Sequence, residues 1–91
     1  MSEIINPQDA ALGEIILGSC LIESKAITLI ADILRPEAFY NEKNLEIYAT
    51  LQSMYRNGQK IDIITVKEEL ARRGKLEFIG GPYTLAHISG V

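Results

Sequence analysis

The chain has 91 residues, 47% of them apolar and 23% charged, with a net charge of −3. That is enough for one hydrophobic core and too little for two, and the balance argues against disorder. The charge argues against a strongly nucleic-acid-binding domain, which shows a marked basic excess.

The charge is also uneven. Through Glu46 there are eight acids and three bases; from Ile47 onward there are four acids and six bases. The acidic half disfavours stable contact with phosphates and points to protein partners or an ordinary solvated surface. The longest apolar runs fall far short of the ~20 residues that span a bilayer. Met1-Ser2-Glu3 lacks the basic start of a signal peptide. A lone cysteine, Cys20, makes no internal disulfide, which fits a reducing cytoplasm.

Residues 1–6 read as a flexible arm, and residues 7–91 as a single helical domain. Pro7 opens a first helix over 8–22. Its apolar residues run almost all round: Leu12, Ile15, Ile16 and Ile22 on one side, Leu17 and Leu21 on the other. Such a helix is expected to be sandwiched, at the centre of the domain. Gly13 and Gly18 each cost a helix about 1 kcal/mol relative to Ala, so close packing of a neighbour is their expected reason. Ser24 is the expected N-cap of a second helix over 25–34, with Ala26, Ile27, Ile30, Ile33 and Leu34 inward.

Pro36 then forces a corner, because it disfavours helical geometry at Arg35 and has no backbone N–H to donate. Phe39 and Tyr40 are expected to fold inward there. Asn41 caps a third helix, Glu42–Arg56, whose stripe is Ile47, Tyr48, Leu51, Met54 and Tyr55; Glu46, Thr50, Ser53 and Arg56 take the opposite face. Leu45 lies off that stripe and either fills a second contact or marks a partner surface. Asn57-Gly58 ends the helix.

A fourth helix starts at Asp62 or Thr65 and ends at Arg73. Thr65-x-x-Glu68 spells a capping box, but a start at Asp62 puts Ile63, Val66 and Leu70 on one face and is preferred. Gly74 is its C-cap, residues 76–79 form a short buried connector, and Pro82 opens a fifth helix carrying Tyr83, Leu85, Ala86 and Ile88. The residues alone therefore predict a compact all-α domain of about five helices. Leu17, Ile30, Leu34, Phe39, Tyr48, Leu51 and Leu70 are its core candidates. The tyrosines are expected to pack in the core with their hydroxyls near the surface.

Residues for chemistry are few. Gly80-Gly81 lacks the GxxxxGK[ST] spelling of a phosphate loop. The only histidine, His87, has no Cys or carboxylate cluster at metal-ligand spacing. Cys20, on an apolar helix, reads as a small core residue. No catalytic, cofactor or metal residue is assigned. Glu68-Glu69 and Arg72-Arg73 sit four apart on the fourth helix, giving two weak acid-to-base pairs. Either they form a solvated face, or Arg72, Arg73 and Lys75 touch nucleic acid or a partner's carboxylate. The interaction candidates are Leu45, Arg72 and Arg73.

The run from Ala31 to Tyr40, ADILRPEAFY, resembles the corner of the N-terminal domain of DnaB-type replicative DNA helicases. The resemblance continues through Pro7-Gln8-Asp9, Ile16-Leu17-Gly18-Ser19, residues 62–66 (DIITV) and residues 76–81 (LEFIGG), in order and at close to the family's spacing. It implies a compact orthogonal bundle of about five to six short helices. The parent protein would be a hexameric, ATP-driven helicase. Its ATP, Mg and DNA contacts lie in a C-terminal RecA-like domain that this chain lacks. The family's N-terminal domains form a collar of dimers arranged three-fold, which helps recruit primase. Its strongest collar contact uses a helical hairpin beyond the globular part, also absent here. The alternatives are a free-standing accessory replication module and, in a different class, a helix-turn-helix DNA-binding regulator.

With the main stripes paired off inside one chain, and Leu45 and the charged face of the fourth helix left outside, the isolated chain is expected to be a monomer. Failing that, it is a weak dimer with a Kd above roughly 10 μM. It is also expected to turn over no ATP and unwind no duplex. Phosphate release above background, from a sample free of contaminating ATPase, would refute this.

Overall fold

The structure is a computed structural model, and it describes residues 10–90. The arm expected over 1–6, the first two residues of the first predicted helix and Val91 lie outside the described residues. Five helices follow in order: α1 (Ala10–Ile22), α2 (Ala26–Ile30), α3 (Glu42–Arg56), α4 (Ile63–Arg72) and α5 (Pro82–Ile88), with a 3-10 turn at Pro36–Ala38 before α3. No strand occurs among the described residues, so the all-α expectation holds.

The helix at the centre is α3 rather than α1. It packs against α1, α2, α4 and the 3-10 turn, and buries Ile47, Tyr48, Leu51 and Met54 as its stripe requires. It also buries Asn44, Thr50 and Gln52. Thr50, expected on the outer face, is fully enclosed, its hydroxyl donating to the Glu46 carbonyl at 2.9 Å. A single apolar stripe counts one partner, whereas α3 has partners on several sides and meets some of them with polar groups.

The corner shows why. The second helix stops after five residues at Ile30, and the extended backbone at Arg35 before Pro36 keeps the chain from resuming it. The Ile30 carbonyl still accepts from the backbone N–H groups of Ile33 and Leu34, but the carbonyls of Ala31 and Leu34 lie past the end of the helix and need other donors. Side chains of α3 supply them. Tyr48 donates its hydroxyl to the carbonyls of Leu34 at 2.7 Å and Ile30 at 3.3 Å. Gln52 Nε2 donates to Ala31 at 2.8 Å and Leu34 at 3.4 Å. Arg56 Nη2 reaches the Ala31 carbonyl at 3.4 Å. Burial, with Cys20 and Asp32 nearby, pushes the Tyr48 hydroxyl up to about 12 against the smaller opposing effect of Arg56, so it keeps its proton at any ordinary pH.

Phe39 is buried and stacks on Tyr48, ring centroids 4.8 Å apart. Tyr40 points out instead: one residue along an extended chain, it takes the opposite side. Ile33 is likewise exposed rather than inward, because α2 has ended before it. The N-cap position of α2 is Lys25, not Ser24, and it makes no side-chain capping bond. Of the core candidates, Leu17, Phe39, Tyr48, Leu51 and Leu70 are buried, while Ile30 and Leu34 are half-buried against them.

Helix ends behave as the sequence spells them. Asn41 Oδ1 accepts from the backbone N–H groups of Lys43 and Asn44. Gly58 takes a φ of +69° as the Gln59 N–H closes on Met54 O. Asp62 caps α4, but its capping-box partner is Thr65: Asp62 Oδ1 accepts from Thr65 N at 2.8 Å and Thr65 Oγ1 from Asp62 N at 2.9 Å. Those bonds hold the Asp62 carboxyl below the usual carboxylate range.

The two glycines of α1 are both buried. At Gly18 the reason is contact: a Cβ there would lie 2.3 Å from the Ile88 carbonyl oxygen of α5. The expected sandwich fails, however. The fold covers α1 with α2, α3 and α5 and leaves Ile15 and Ile22 exposed. Phe78, in the connector expected to be buried, is partly exposed while Ile79 is buried. Tyr83 joins Tyr40 on the surface. The premise that the chain hides its main stripes is thus corrected.

Phe39→Ala is expected to cost about 3–5 kcal/mol, a large share of the 5–15 kcal/mol typical of a domain. Tyr48→Phe, which removes only the donor to Leu34 and Ile30, is expected to cost about 1–3 kcal/mol. Chemical denaturation measures both, and a loss below about 1 kcal/mol for Phe39→Ala contradicts the corner described here. Asp62→Ala should cost about 0.5–2 kcal/mol at neutral pH. Its folded pKa lies below the unfolded value, so the cap's charged contribution is present above the unfolded pKa and fades as pH falls through the folded one. The gap between parent and variant should therefore shrink in acid, and a gap independent of pH would show that the carboxylate charge is irrelevant.

Candidate interaction surface

The three interaction candidates have different fates. Leu45 is half-buried and packs against the core, filling the second contact rather than standing clear as a docking knob. Arg73 is tied down: its Nε lies 3.4 Å from Glu69 Oε2 and its Nη1 donates to Thr50 Oγ1 at 3.0 Å. Arg72 also pairs with Glu69, through Nη2 and Oε1, but its side chain is largely exposed.

Glu69 is the hub of this cluster and is buried, unlike the solvated acid expected from the doublet. Three residues after Val66 and next to Leu70, it lies on the side of α4 that faces α3, and so takes both arginines. The expected Glu68–Arg72 pair does not form. Two further bases are partnered, Lys60 with Asp62 at 3.7 Å and Lys75 with Glu46 at 3.8 Å. Lys75 also sits over the Phe78 ring, 5.4 Å from its centroid. Most of the basic side chains on and around α4 are thus neutralised within the fold. That arrangement does not suit a recognition helix meeting phosphates.

Shallow grooves mark the surface of the described residues, among them three near the candidate residues and α1. One, of about 450 Å³ between α3 and α4, carries Lys60, Glu68, Glu69 and Arg72 on its walls. A second, of about 300 Å³, runs between α1, the start of α3 and α5 and is lined by Glu14, Lys43, Asn44, Tyr83 and His87. The third, of about 470 Å³, is apolar and formed by Leu21, Ile63 and Ile64 with Asp62 at its edge. Cys20 is fully buried and its thiol is pushed up to about 11 by that burial, so it presents no thiolate at neutral pH. His87 is exposed and stacks on Tyr83, ring centroids 6.3 Å apart. Among the described residues, no three His, Cys, Asp or Glu side chains are grouped to hold a metal ion. No described helix is long and apolar enough to cross a membrane.

The more informative surface feature is apolar. Ile15, Ile22, Leu29, Ile33, Tyr40, Ile64, Phe78 and Tyr83 are all exposed. Singly such residues are ordinary. Two on one helix face, as on α1, make a stripe. Sequence reasoning recognised the apolar excess of the first helix but assigned its partner to the wrong place. The signal was there in Ile15 and Ile22, seven residues apart and off the Leu17–Leu21 side.

The profile of the DnaB-like helicase N terminal domain family matches residues 5–91. The chain is 35% identical over 85 residues to a replicative DNA helicase DnaB of Rhodothermus marinus, covering 93% of this chain and 9% of that protein. It is 38% identical over 86 residues to the replicative DNA helicase DnaB of Mycobacterium leprae, covering 93% of this chain and 14% of that protein. The replicative DNA helicase DnaC of Bacillus subtilis is 30% identical over 93 residues, covering 98% of this chain and 20% of that protein. The chain thus spans a fifth or less of the length of these relatives. In three dimensions it is similar to the crystal structure of the N-terminal domain of DnaB helicase from Mycobacterium tuberculosis, with a TM-score of 0.86 and 35% identity over 93% of this chain and 62% of that one. Family profile, sequence relatives and fold agree over nearly the whole chain, which belongs to the family of DnaB-like helicase N-terminal domains.

Proposed function

We propose that the chain serves as the collar and protein-interaction domain of a hexameric, ATP-dependent replicative DNA helicase. In that role it supports self-assembly and recruits primase during DNA replication in the cytoplasm. ATP, Mg and DNA belong to a C-terminal RecA-like domain of the longer protein. The observation that carries the reading is the match over residues 5–91 to replicative helicases at least five times longer than the matched stretch. The chemistry of the surface supports it. The paired charges around α4 favour protein contact over phosphate contact.

Two measurements test this. Reading the coding sequence past Val91 should reveal a RecA-like domain with a Walker motif; a stop codon there favours the free-standing accessory module instead. The longer protein should run as a hexamer in light scattering and bind primase, and deletion of residues 1–91 should weaken primase binding at least about tenfold, or about 1.4 kcal/mol. Unchanged primase binding after the deletion would remove the recruiting role.

A further inference from the structure

At one end of the bundle a groove of about 230 Å³ opens between the start of α2, the last turn of α3 and the loop that leads to α4. Its floor is Ile27 and Ile61, both buried, and the half-buried Tyr55 stands in its wall. Lys25 and Lys60, both exposed, belong to its lining, and no carboxylate does. The neighbouring groove between α3 and α4 shares Gln59 and Lys60 but brings in Glu68 and Glu69. That one is balanced in charge. This one is positive, in a chain whose net charge is −3.

The positive charge is available to a ligand. Lys25 takes the N-cap position of α2 yet makes no side-chain capping bond, and it has no ion pair among the described residues. Lys60 faces Asp62 at 3.7 Å with 81% of its side chain exposed, and exposed pairs of this kind hold weakly. Asp62 is itself engaged in capping α4. The C-terminal end of a helix repels anions through its bare carbonyls. At the end of α3 the carbonyls of Ser53, Met54 and Tyr55 already accept from the N–H groups of Asn57, Gln59 and Gly58.

We propose that this groove receives a short acidic segment of a partner protein: one apolar side chain seats over Ile27 and Ile61 while the carboxylates flanking it pair with Lys25 and Lys60. The groove is smaller than the roughly 300–1,000 Å³ of pockets that enclose whole small molecules. Its occupant is therefore a side chain delivered by a longer chain. The isoleucine floor calls for an apolar group, and the lysines, point charges on flexible stems, call for acids beside it and reject a basic segment. A nucleic acid fits less well. Its phosphates recur at every nucleotide, and beyond the two lysines a strand meets Asp62 on one side and Glu23, next to Ser24, on the other. A peptide carries its acids at the lysines alone. The proposal stands apart from the collar and primase roles, and its test needs neither.

Two exposed ion pairs and one seated side chain make a weak contact, with a Kd on the order of 100 μM. Methyl-resolved NMR of the 91-residue chain, titrated with the acetylated and amidated peptide DDLFDD to about 1 mM, measures it. The methyl signals of Ile27 and Ile61 should shift while those of Ile33, exposed in the corner, should not. Lys25→Glu/Lys60→Glu should weaken binding at least about tenfold. Arg35→Glu/Lys43→Glu makes the same change of net charge at exposed positions outside the groove and should change Kd by less than about threefold. Raising the salt from about 0.05 to about 0.5 M should weaken binding at least about threefold. Far-UV circular dichroism checks that each variant is folded, and Lys25→Gln/Lys60→Gln, expected to lose at least about threefold, repeats the test should the charge reversal fail to fold. Four outcomes overturn the inference: no shift at about 1 mM, equal binding of DDSSDD or KKLFKK, a charge-reversed groove that binds like the parent, or an equal loss in Arg35→Glu/Lys43→Glu. So does an oligothymidylate that shifts Ile27 and Ile61 at lower concentration than the peptide, since the groove is then a nucleic-acid contact.

Discussion

Everything in this fold leans on the way α3 completes the carbonyls of α2. A five-residue helix is far below the length at which helices persist on their own. Its stop before Pro36 leaves carbonyls at Ala31 and Leu34 that need donors where water is largely excluded. Tyr48, Gln52 and Arg56, at i, i+4 and i+8 on α3, form a single line of donors aimed at them. Phe39 closes the arrangement by stacking on the Tyr48 ring. The tyrosine is thus apolar on its face and polar at its tip, and both ends are used. Apolar packing alone would hold α2 against α3, but it would leave open where α2 ends and which way the chain turns. The donors fix both.

The same logic governs α4. Its apolar face of Val66 and Leu70 brings it onto the core, but the buried Glu69 decides how it sits. An unpaired carboxylate in that position would be costly. Arg73 neutralises it and reaches across to Thr50 on α3, whose own hydroxyl is bonded to Glu46. A polar chain therefore runs from α4 through α3, parallel to the apolar contact. One consequence is electrostatic: Lys60, Arg72, Arg73 and Lys75 each have an acid within reach, the two arginines sharing Glu69, although Lys60 and Arg72 keep most of their side chains exposed.

How much of this was legible beforehand follows from the kind of interaction. Local signals were readable: Asn41 and Asp62 as caps, Gly58 and Gly74 as helix stops, Pro36 as a corner, Glu42–Arg56 as a helix with both ends correct. The stripe of α3 named its core residues, since a 3.6-residue period says which face is apolar. Periodicity does not say how many neighbours a helix has. For that reason Thr50 was placed on the outer face and α1 was placed at the centre. Nor does spelling resolve which acid of a Glu-Glu pair turns inward; only the packing of α4 on α3 chooses Glu69. The resemblance carried the family but no interface residue. Of the three residues offered for an interface, Leu45 packs inward, Arg73 is committed to Glu69 and Thr50, and only Arg72, though paired with Glu69, keeps its side chain largely exposed.

The misplaced first helix is the most useful of these differences. A helix apolar on all sides has two ways to satisfy itself: more of its own chain, or another chain. Here α2, α3 and α5 cover one side, and Gly18 lets α5 come to backbone contact there. Five short helices cannot also wrap the other side, because α3 already holds the centre and α4 packs against α3 and α5. The outer isoleucines are therefore no fault of packing within the domain. Replacing them with charged residues would raise solubility at little cost to the core. The core is complete without them, so a filled interior and an exposed apolar line on α1 coexist in one small domain.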